Sequence, residues 1–317
     1  MNIKNVVVAG GGVLGSQIAF QSAFSGFDVT IWLRSEESVT RTKPKLDRLY
    51  SIYLQELEGA KNLLADRKYD APRAIITNPK EVTLEEIEAL KIRVEEAYKS
   101  IKLIVDMKEA VKDADLVIEA MAENPQAKME FYQKLAPFLP EKTIVATNSS
   151  SMLPSMFRDY TGRPEKFLAI HFANNIWRAN TAEIMGHDGT DKEAYDLVVK
   201  FAEDIKMVPL KLFKEQAGYI LNTMLIPFLN AGQVLLAKEV SDPATIDLTW
   251  RLGTGAQYGP FQILDIVGLT TAYNIVSMNP EVKNPESIPA KIAKILKDKI
   301  DEGKTGINAG EGFYKYR

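Results

Sequence analysis

Few side chains in this 317-residue sequence are suited to moving a proton. Only two are histidines, and one of them, His171, closes the apolar run of FLAIHFANN (Phe167 to Asn175). Imidazole is the side chain best adapted to proton exchange near neutrality. Twelve positions on, Glu183 lies in NTAEIM, a short extended pattern that could turn its carboxylate toward the histidine. A carboxylate on one ring nitrogen would fix the tautomer and stabilise the imidazolium, leaving the other nitrogen to exchange a proton with a substrate hydroxyl. Spacing by itself leaves that contact open. Gly10, Gly12 and Gly15 supply a second chemistry. They form G-x-G-x-x-G directly after NVVVAG, where one glycine makes the tight turn, one admits a pyrophosphate and one lets strand and helix pack. A helix starting there turns free N–H groups and its positive dipole end toward phosphate.

These residues need elements to bring them together. NVVVAG, DVTIWL, ADLVIEAM, TIVATNSSS, FLAIHFAN and MVPLKL have the texture of short strands, separated by helical patterns such as LGSQIAFQSAFSG and AKMEFYQKLAPFL. That alternation predicts an α/β fold, a mainly parallel sheet covered on both faces. Four segments then end a strand or open a helix with polar residues: VIEAMAEN, VATNSSS, AIHFANN and GYILNTML. In a doubly wound sheet the carboxyl ends of the strands converge on the ligand crevice. From about residue 40 to 102 runs a long charged stretch with apolar residues at helical intervals, expected as a helical, partly projecting insertion. After Glu215 helical patterns dominate, which places a boundary near Phe213: residues 1–213 form the dinucleotide-binding domain and 214–317 a helical domain.

Composition narrows the function. A formal charge of -3 and pI near 5.7 give no electrostatic reason to expect nucleic acid or an anionic membrane as partner. No cysteine is present, which removes disulfides, thiolate nucleophiles and cysteine-bound metal and is compatible with a reducing cytosol. The N-terminal residues do not read as a signal peptide, and no uncharged apolar run is expected to approach the roughly 20 residues of a spanning helix. A cytoplasmic location follows as an expectation.

In order along the chain, GGGVLGSQIA, DLVIEAMAEN with Lys128, IVATNSSS, AIHFANN, AGYILNTMLIP, YGPFQILDIVGL and GEGFYKY resemble the L-3-hydroxyacyl-CoA (3-hydroxybutyryl-CoA) dehydrogenases. The resemblance implies a Rossmann-like doubly wound domain, an all-α C-terminal domain that makes a homodimer, and NAD(P)-dependent hydride transfer to or from the 3-hydroxy group of a short-chain L-3-hydroxyacyl-CoA in fatty acid metabolism. By position it makes His171 the general base, Glu183 its orienting partner, Ser150 a donor to the reacting oxygen, and Asn222 a residue that holds substrate and histidine. Asn174 supports the site. The cofactor set is Gly10, Gly12, Val13, Leu14, Gly15, Arg34, Ser35, Glu123, Lys128 and Asn148, with Glu123 and Lys128 near the nicotinamide ribose. His187, in GHDGT, matches no functional position and reads as an exposed loop residue. No metal is implied.

The sequence departs from the family where substrate would be recognised. FANNIWRANTAE carries Ala173, Asn175, Trp177 and Arg178 where Phe, Pro and smaller apolar residues are expected, and the charged helical region is longer than in the common fatty-acyl enzymes. Trp177 and Arg178 become substrate candidates, Arg178 as a grip on a carboxylate or phosphate. A free hydroxy acid such as L-gulonate or L-carnitine is therefore an alternative substrate, and a catalytically silent dinucleotide-binding protein a distant one. The cofactor reading also departs. At the end of the second strand, where an acid would take the ribose 2′-OH of NAD, stands Leu33, followed by Arg34 and Ser35. That pair favours NADP(H) over NAD(H), unless Glu36 or Glu37 takes the ribose contact from the loop.

Overall fold

The computed structural model describes residues 2–66 and 70–316 and divides into two compact units, 1–220 and 221–317. The first holds an eight-stranded sheet in the order β3-β2-β1-β4-β5-β6-β7-β8. Its strands are β1 Asn5–Ala9, β2 Asp28–Trp32, β3 Lys102–Ile104, β4 Leu116–Glu119, β5 Ile144–Thr147, β6 Phe167–Phe172, β7 Thr181–Met185 and β8 Val208–Leu212. Pairing is parallel throughout except between β6 and β7. Val6 and Val8 of β1 enter one core and Val7 and Ala9 the other, the period-two alternation of a sheet buried on both faces. The helices of this unit are α1 Val13–Phe24, α2 Glu36–Ala60, α3 Asn62–Ala65, α4 Leu84–Ser100, α5 Met107–Val111, α6 Pro125–Leu135 and α7 Lys192–Asp204.

Among the described residues, the charged stretch does not project; residues 67–69 of it lie outside them. Tyr53 and Leu57 of α2, Leu63 of α3 and Ile87, Leu90 and Val94 of α4 are buried in the same core as Val6 and Val8, so the helices cover a face of the sheet. Their charges occupy the opposite sides, as helical spacing of the apolar residues requires. The end of the stretch is not helical: residues 102–104 form the edge strand β3, bonded to β2. Three residues are too few to stand out against a helical period.

The units divide at residue 220 rather than near Phe213. The connecting segment returns to the sheet, where Gln216 N–H donates to Met185 Sδ and Tyr219 is buried with Ala169, Met185 and Leu212. The helices that follow are α8 Tyr219–Ala237, α9 Pro243–Thr254, α10 Pro260–Val267, α11 Leu269–Ser277 and α12 Ile288–Asp301. One expectation fails here: α8 is a 19-residue run long and apolar enough by length and composition to cross a membrane. Its polar Asn222, Thr223, Asn230 and Gln233 hid the run in the sequence, and Leu225, Phe228, Leu229, Val234 and Leu236 pack it into the core of the second unit. In that unit Asp265, 1 % exposed, accepts from Phe313 N–H, Tyr314 N–H and the Tyr316 hydroxyl, which fixes GEGFYKY to α10.

Candidate active site

The glycine turn joins β1 to α1. Gly10 has φ 122°, a conformation that favours glycine, and a Cβ at Gly15 would collide with the Gly10 carbonyl oxygen. Gly12, the N-cap of α1, has open space where its Cβ would be, and no side chain caps the helix. The first N–H groups of a twelve-residue helix therefore remain for an anion, which is what a dinucleotide pyrophosphate needs. The cleft beside the turn measures about 330 Å³, within the range of small-molecule sites, and is lined by Gly10 to Gly12, Leu33, Arg34, Ser38, Arg41, Thr42 and Lys45. The residues fit a dinucleotide. Val13, next to Gly12, is largely exposed and Leu14 packs partly against the core.

Arg34 is exposed at the end of β2 and lines this cleft. Ser35 is engaged differently from expectation: its hydroxyl caps α2 by accepting from Ser38 N–H at 3.4 Å, because an extended serine before a helix meets the free N–H groups of the first turn. Ser38, one turn on, lines the cleft in its place. Lys45 Nζ donates to Gly11 carbonyl at 3.1 Å, and Thr42 fills the space a side chain at position 11 would need. Sequence reading missed Arg41, Thr42 and Lys45. Their signal was the helical spacing of Ser38, Arg41, Thr42 and Lys45, legible only once α2 is known to abut the glycine turn.

At the carboxyl ends of β4 and β5 lies a buried polar network. Glu119 is fully buried and accepts four hydrogen bonds, from Lys128 Nζ at 2.6 Å, Tyr132 Oη at 2.9 Å, Thr147 Oγ1 at 2.8 Å and Met121 N–H at 2.7 Å. Lys128, 1 % exposed, also lies 3.7 Å from Glu123. Glu123 in turn accepts from Ser149 Oγ at 2.9 Å and from Ser150 N–H, so it fixes the backbone that carries the half-buried Ser150. Asn148 links the neighbouring strands, its N–H donating to Glu119 carbonyl and its Oδ1 accepting from Phe172 N–H. Burial and the nearby Glu119 carboxylate push the Tyr132 hydroxyl pKa well above its usual value. Glu119 was not among the expected residues, although an acid inside the apolar ADLVIEAM was its signal.

His171 lies on β6 directly opposite Glu183 on β7. Paired residues of an antiparallel ladder put side chains on the same face at close range. Here His171 Nδ1 and Glu183 Oε2 are 3.0 Å apart, both residues buried at 5 % and 2 % exposure. The carboxylate accepts from Nδ1–H, which leaves the lone pair at Nε2, and among the described residues Nε2 has no hydrogen-bond partner. The Tyr219 ring stacks on the imidazole with centroids 4.5 Å apart and planes 16° from parallel. Ile220 N–H donates to Glu183 Oε1 at 2.9 Å. Such a buried histidine, with one nitrogen held by a carboxylate and the other available, is arranged to take and return a proton.

Both halves of the sequence match one family. Residues 5–216 match the 3-hydroxyacyl-CoA dehydrogenase NAD binding domain, and residues 218–316 the 3-hydroxyacyl-CoA dehydrogenase C-terminal domain. The chain belongs to the 3-hydroxyacyl-CoA dehydrogenase family. Members of that family are oxidoreductases acting on CH–OH donors, and so is this protein. Among its relatives, the mitochondrial hydroxyacyl-coenzyme A dehydrogenase of Rattus norvegicus is 30 % identical over 99 % of this chain and 92 % of that protein. A probable 3-hydroxybutyryl-CoA dehydrogenase of Bacillus subtilis is 28 % identical over 100 % of this chain and 98 % of that protein. Among solved structures, a diketoreductase described as performing substrate-directed dual catalysis of dicarbonyl compounds shares 46 % identity, with complete coverage of both chains and a TM-score of 0.84.

Three remaining expectations change. Arg178 is not open to a substrate anion: its Nε and Nη2 meet the two oxygens of Glu56 on α2 at 2.6 and 2.5 Å. Trp177 is buried at 6 % exposure and donates from Nε1 to the same carboxylate at 3.1 Å. The two departures from the family pattern, the altered loop and the long helical stretch, thus meet at Glu56. His187 is buried rather than exposed, with Nε2 donating to Pro164 carbonyl at 2.9 Å and Nδ1 accepting from Gly189 N–H at 3.0 Å. A loop histidine whose two nitrogens both find backbone partners can be buried without an unpaired polar group. Asn174 is exposed in the loop after β6, and the next residue, Asn175, has φ 59°, which the expected proline could not adopt. Its N–H donates to Gln17 Oε1 of α1 at 2.9 Å. Asn222 belongs to α8.

Proposed function

We propose that the protein interconverts a secondary alcohol and its ketone on a short-chain 3-hydroxyacyl-CoA, using NADP(H) in preference to NAD(H). The observation that carries the reading of the chemistry is the buried His171–Glu183 pair with Nε2 left for substrate. When bound, the dinucleotide supplies the hydride acceptor or donor. In the oxidation direction His171 takes the hydroxyl proton at Nε2 while Glu183 holds the ring and balances the imidazolium charge. In reduction the imidazolium returns that proton to the carbonyl oxygen. Ser150, held by Glu123, donates to the reacting oxygen, and Asn222, Asn174, Lys128 and Asn148 support substrate and cofactor as in the family. Preference for NADP(H) is supported by Leu33 in place of an acid and by three cations, Arg34, Arg41 and Lys45, along the cleft beside the glycine turn. A homodimer in the cytoplasm, serving fatty acid metabolism, belongs to the same proposal.

A second substrate class is favoured by one specific observation. The diketoreductase, at 46 % identity, is more similar in sequence than the acyl-CoA enzymes compared above, at 30 and 28 %, and the loop after β6 carries Asn175, Trp177 and Arg178 where the family resemblance leads one to expect proline and smaller apolar residues. A free dicarbonyl compound, reduced at one carbonyl by the same proton transfer, is therefore the alternative. One panel tests the proposal: reduced-nicotinamide absorbance with acetoacetyl-CoA, 3-hydroxybutyryl-CoA, a dicarbonyl compound without coenzyme A, L-gulonate and L-carnitine, each with both cofactors, for wild type and His171→Gln. Turnover of an acyl-CoA at the highest kcat/KM, abolished in His171→Gln with cofactor binding retained, is expected. A His171→Gln rate above about a tenth of wild type would remove the base, and the highest kcat/KM on the dicarbonyl would replace the substrate.

A further inference from the structure

The Glu183 carboxylate holds His171 at a single atom, Nδ1. One hydrogen bond fixes a distance but leaves the ring plane able to swing about the bond, and a swing of the plane carries Nε2 away from any substrate oxygen. Geometry at that level matters, because reacting atoms must be brought to near-contact distance and alignment before proton transfer is efficient. What packs against the plane in this protein lies where the connecting segment enters α8. Gly218 and Tyr219 both have positive φ, 79° and 54°. For a bulky residue such as tyrosine this is a strained backbone, of the kind that persists where the surrounding structure requires it. Its result is specific: the Tyr219 ring, fully buried, is laid nearly parallel to the imidazole, and the next N–H reaches the second oxygen of Glu183.

We propose that Tyr219 is a positioning residue for the His171 base, its stacked ring fixing the imidazole plane while the adjoining Ile220 N–H fixes the carboxylate that orients it. The proposal rests on the reading of His171 as base and adds to it a residue outside the proton path. The ring, rather than the hydroxyl, performs this role. Burial, and then the carboxylates of Glu123, Glu183 and Glu119, push the Tyr219 hydroxyl pKa far up, so the ring beside the His171–Glu183 pair carries no negative charge of its own. Phenylalanine therefore preserves the function and leucine does not, although leucine is apolar and fills much of the space.

The test compares Tyr219→Phe and Tyr219→Leu in the full-length protein by steady-state kinetics, by dinucleotide affinity from nicotinamide fluorescence, and by nitrogen-15 NMR of the imidazoles. With two histidines in the chain, His187 is an internal control for the fold. Tyr219→Phe is expected to keep kcat within about threefold. Tyr219→Leu is expected to lower kcat about 10- to 100-fold, to broaden or shift the His171 Nδ1–H resonance, and to leave dinucleotide affinity and the His187 resonances unchanged. Three results overturn the proposal: Tyr219→Leu within threefold of wild type with the His171 signal intact, Tyr219→Phe falling as far as Tyr219→Leu, or His187 and dinucleotide affinity changing together with His171. Activity surviving in His171→Gln would instead overturn the base itself, while the NMR response of His171 to the Tyr219 variants would still report on the stack.

Discussion

Replacing Glu119 by glutamine keeps the shape of the side chain and removes its charge from beneath Lys128. The ammonium is 1 % exposed and donates to Glu119 at 2.6 Å, with Glu123 as a more distant second carboxylate at 3.7 Å. Breaking a buried ion pair on one side costs about 3–5 kcal/mol, because the surviving charge has neither water nor its partner. The amide oxygen of glutamine can still accept from Tyr132 and Thr147, but the amide NH2 then takes the place of the oxygen that accepts from Met121 N–H, which adds a penalty of about 1–3 kcal/mol for the unpaired N–H. Glu123 offsets part of the loss. The expected destabilisation is about 4 kcal/mol, and Glu119→Gln with Lys128→Met should recover part of it. Of the three tryptophans, Trp250 lies in the second unit, so urea unfolding in a Trp250→Phe background reads the first unit through Trp32 and Trp177. A loss below about 1 kcal/mol, or a double variant no more stable than the single one, would refute the reasoning that the pair is a buried, coupled unit.

Arg34→Ala should weaken NADPH by at least about tenfold, roughly 1.4 kcal/mol, and NADH by less than about threefold; equal losses for both cofactors, or a wild-type preference for NADH of tenfold, would refute the 2′-phosphate reading. Glu183→Gln should lower kcat by less than His171→Gln does, since the imidazole remains while its orientation and charge support are lost; an equal or larger loss would point to Glu183 as more than an orienting group. Arg178→Ala should cost about 1–3 kcal/mol of stability in the first unit through loss of the paired hydrogen bonds to Glu56, with little change in KM. A tenfold rise in KM for an anionic substrate at unchanged stability would restore Arg178 as a substrate anchor.

The glycine turn, the alternation of strands and helices, and the candidate pair His171 and Glu183 were legible in the sequence because each rests on local rules. G-x-G-x-x-G after a strand reports a backbone that must turn tightly, and apolar periodicity reports which face is buried. The resemblance of seven ordered motifs added the family and the role of each matching residue. What remained hidden depends on which residues far apart in sequence become neighbours. The register that sets His171 opposite Glu183 is a property of the β6–β7 pairing, and a slip of one residue would turn the side chains to opposite faces. Glu56 is 121 positions from Trp177, and their hydrogen bond converts two residues that read as substrate contacts into a tie between a loop and α2. Ser35 reads as a ligand until a helix is seen to begin behind it, and His187 reads as exposed until two backbone groups are seen to satisfy it. The sequence by itself determined the residue types able to do the chemistry and the periodicities that build the sheet. Tertiary structure alone decided which polar groups spend their hydrogen bonds on one another, because a buried donor or acceptor must be paired and its partner is chosen by packing in space rather than by distance along the chain.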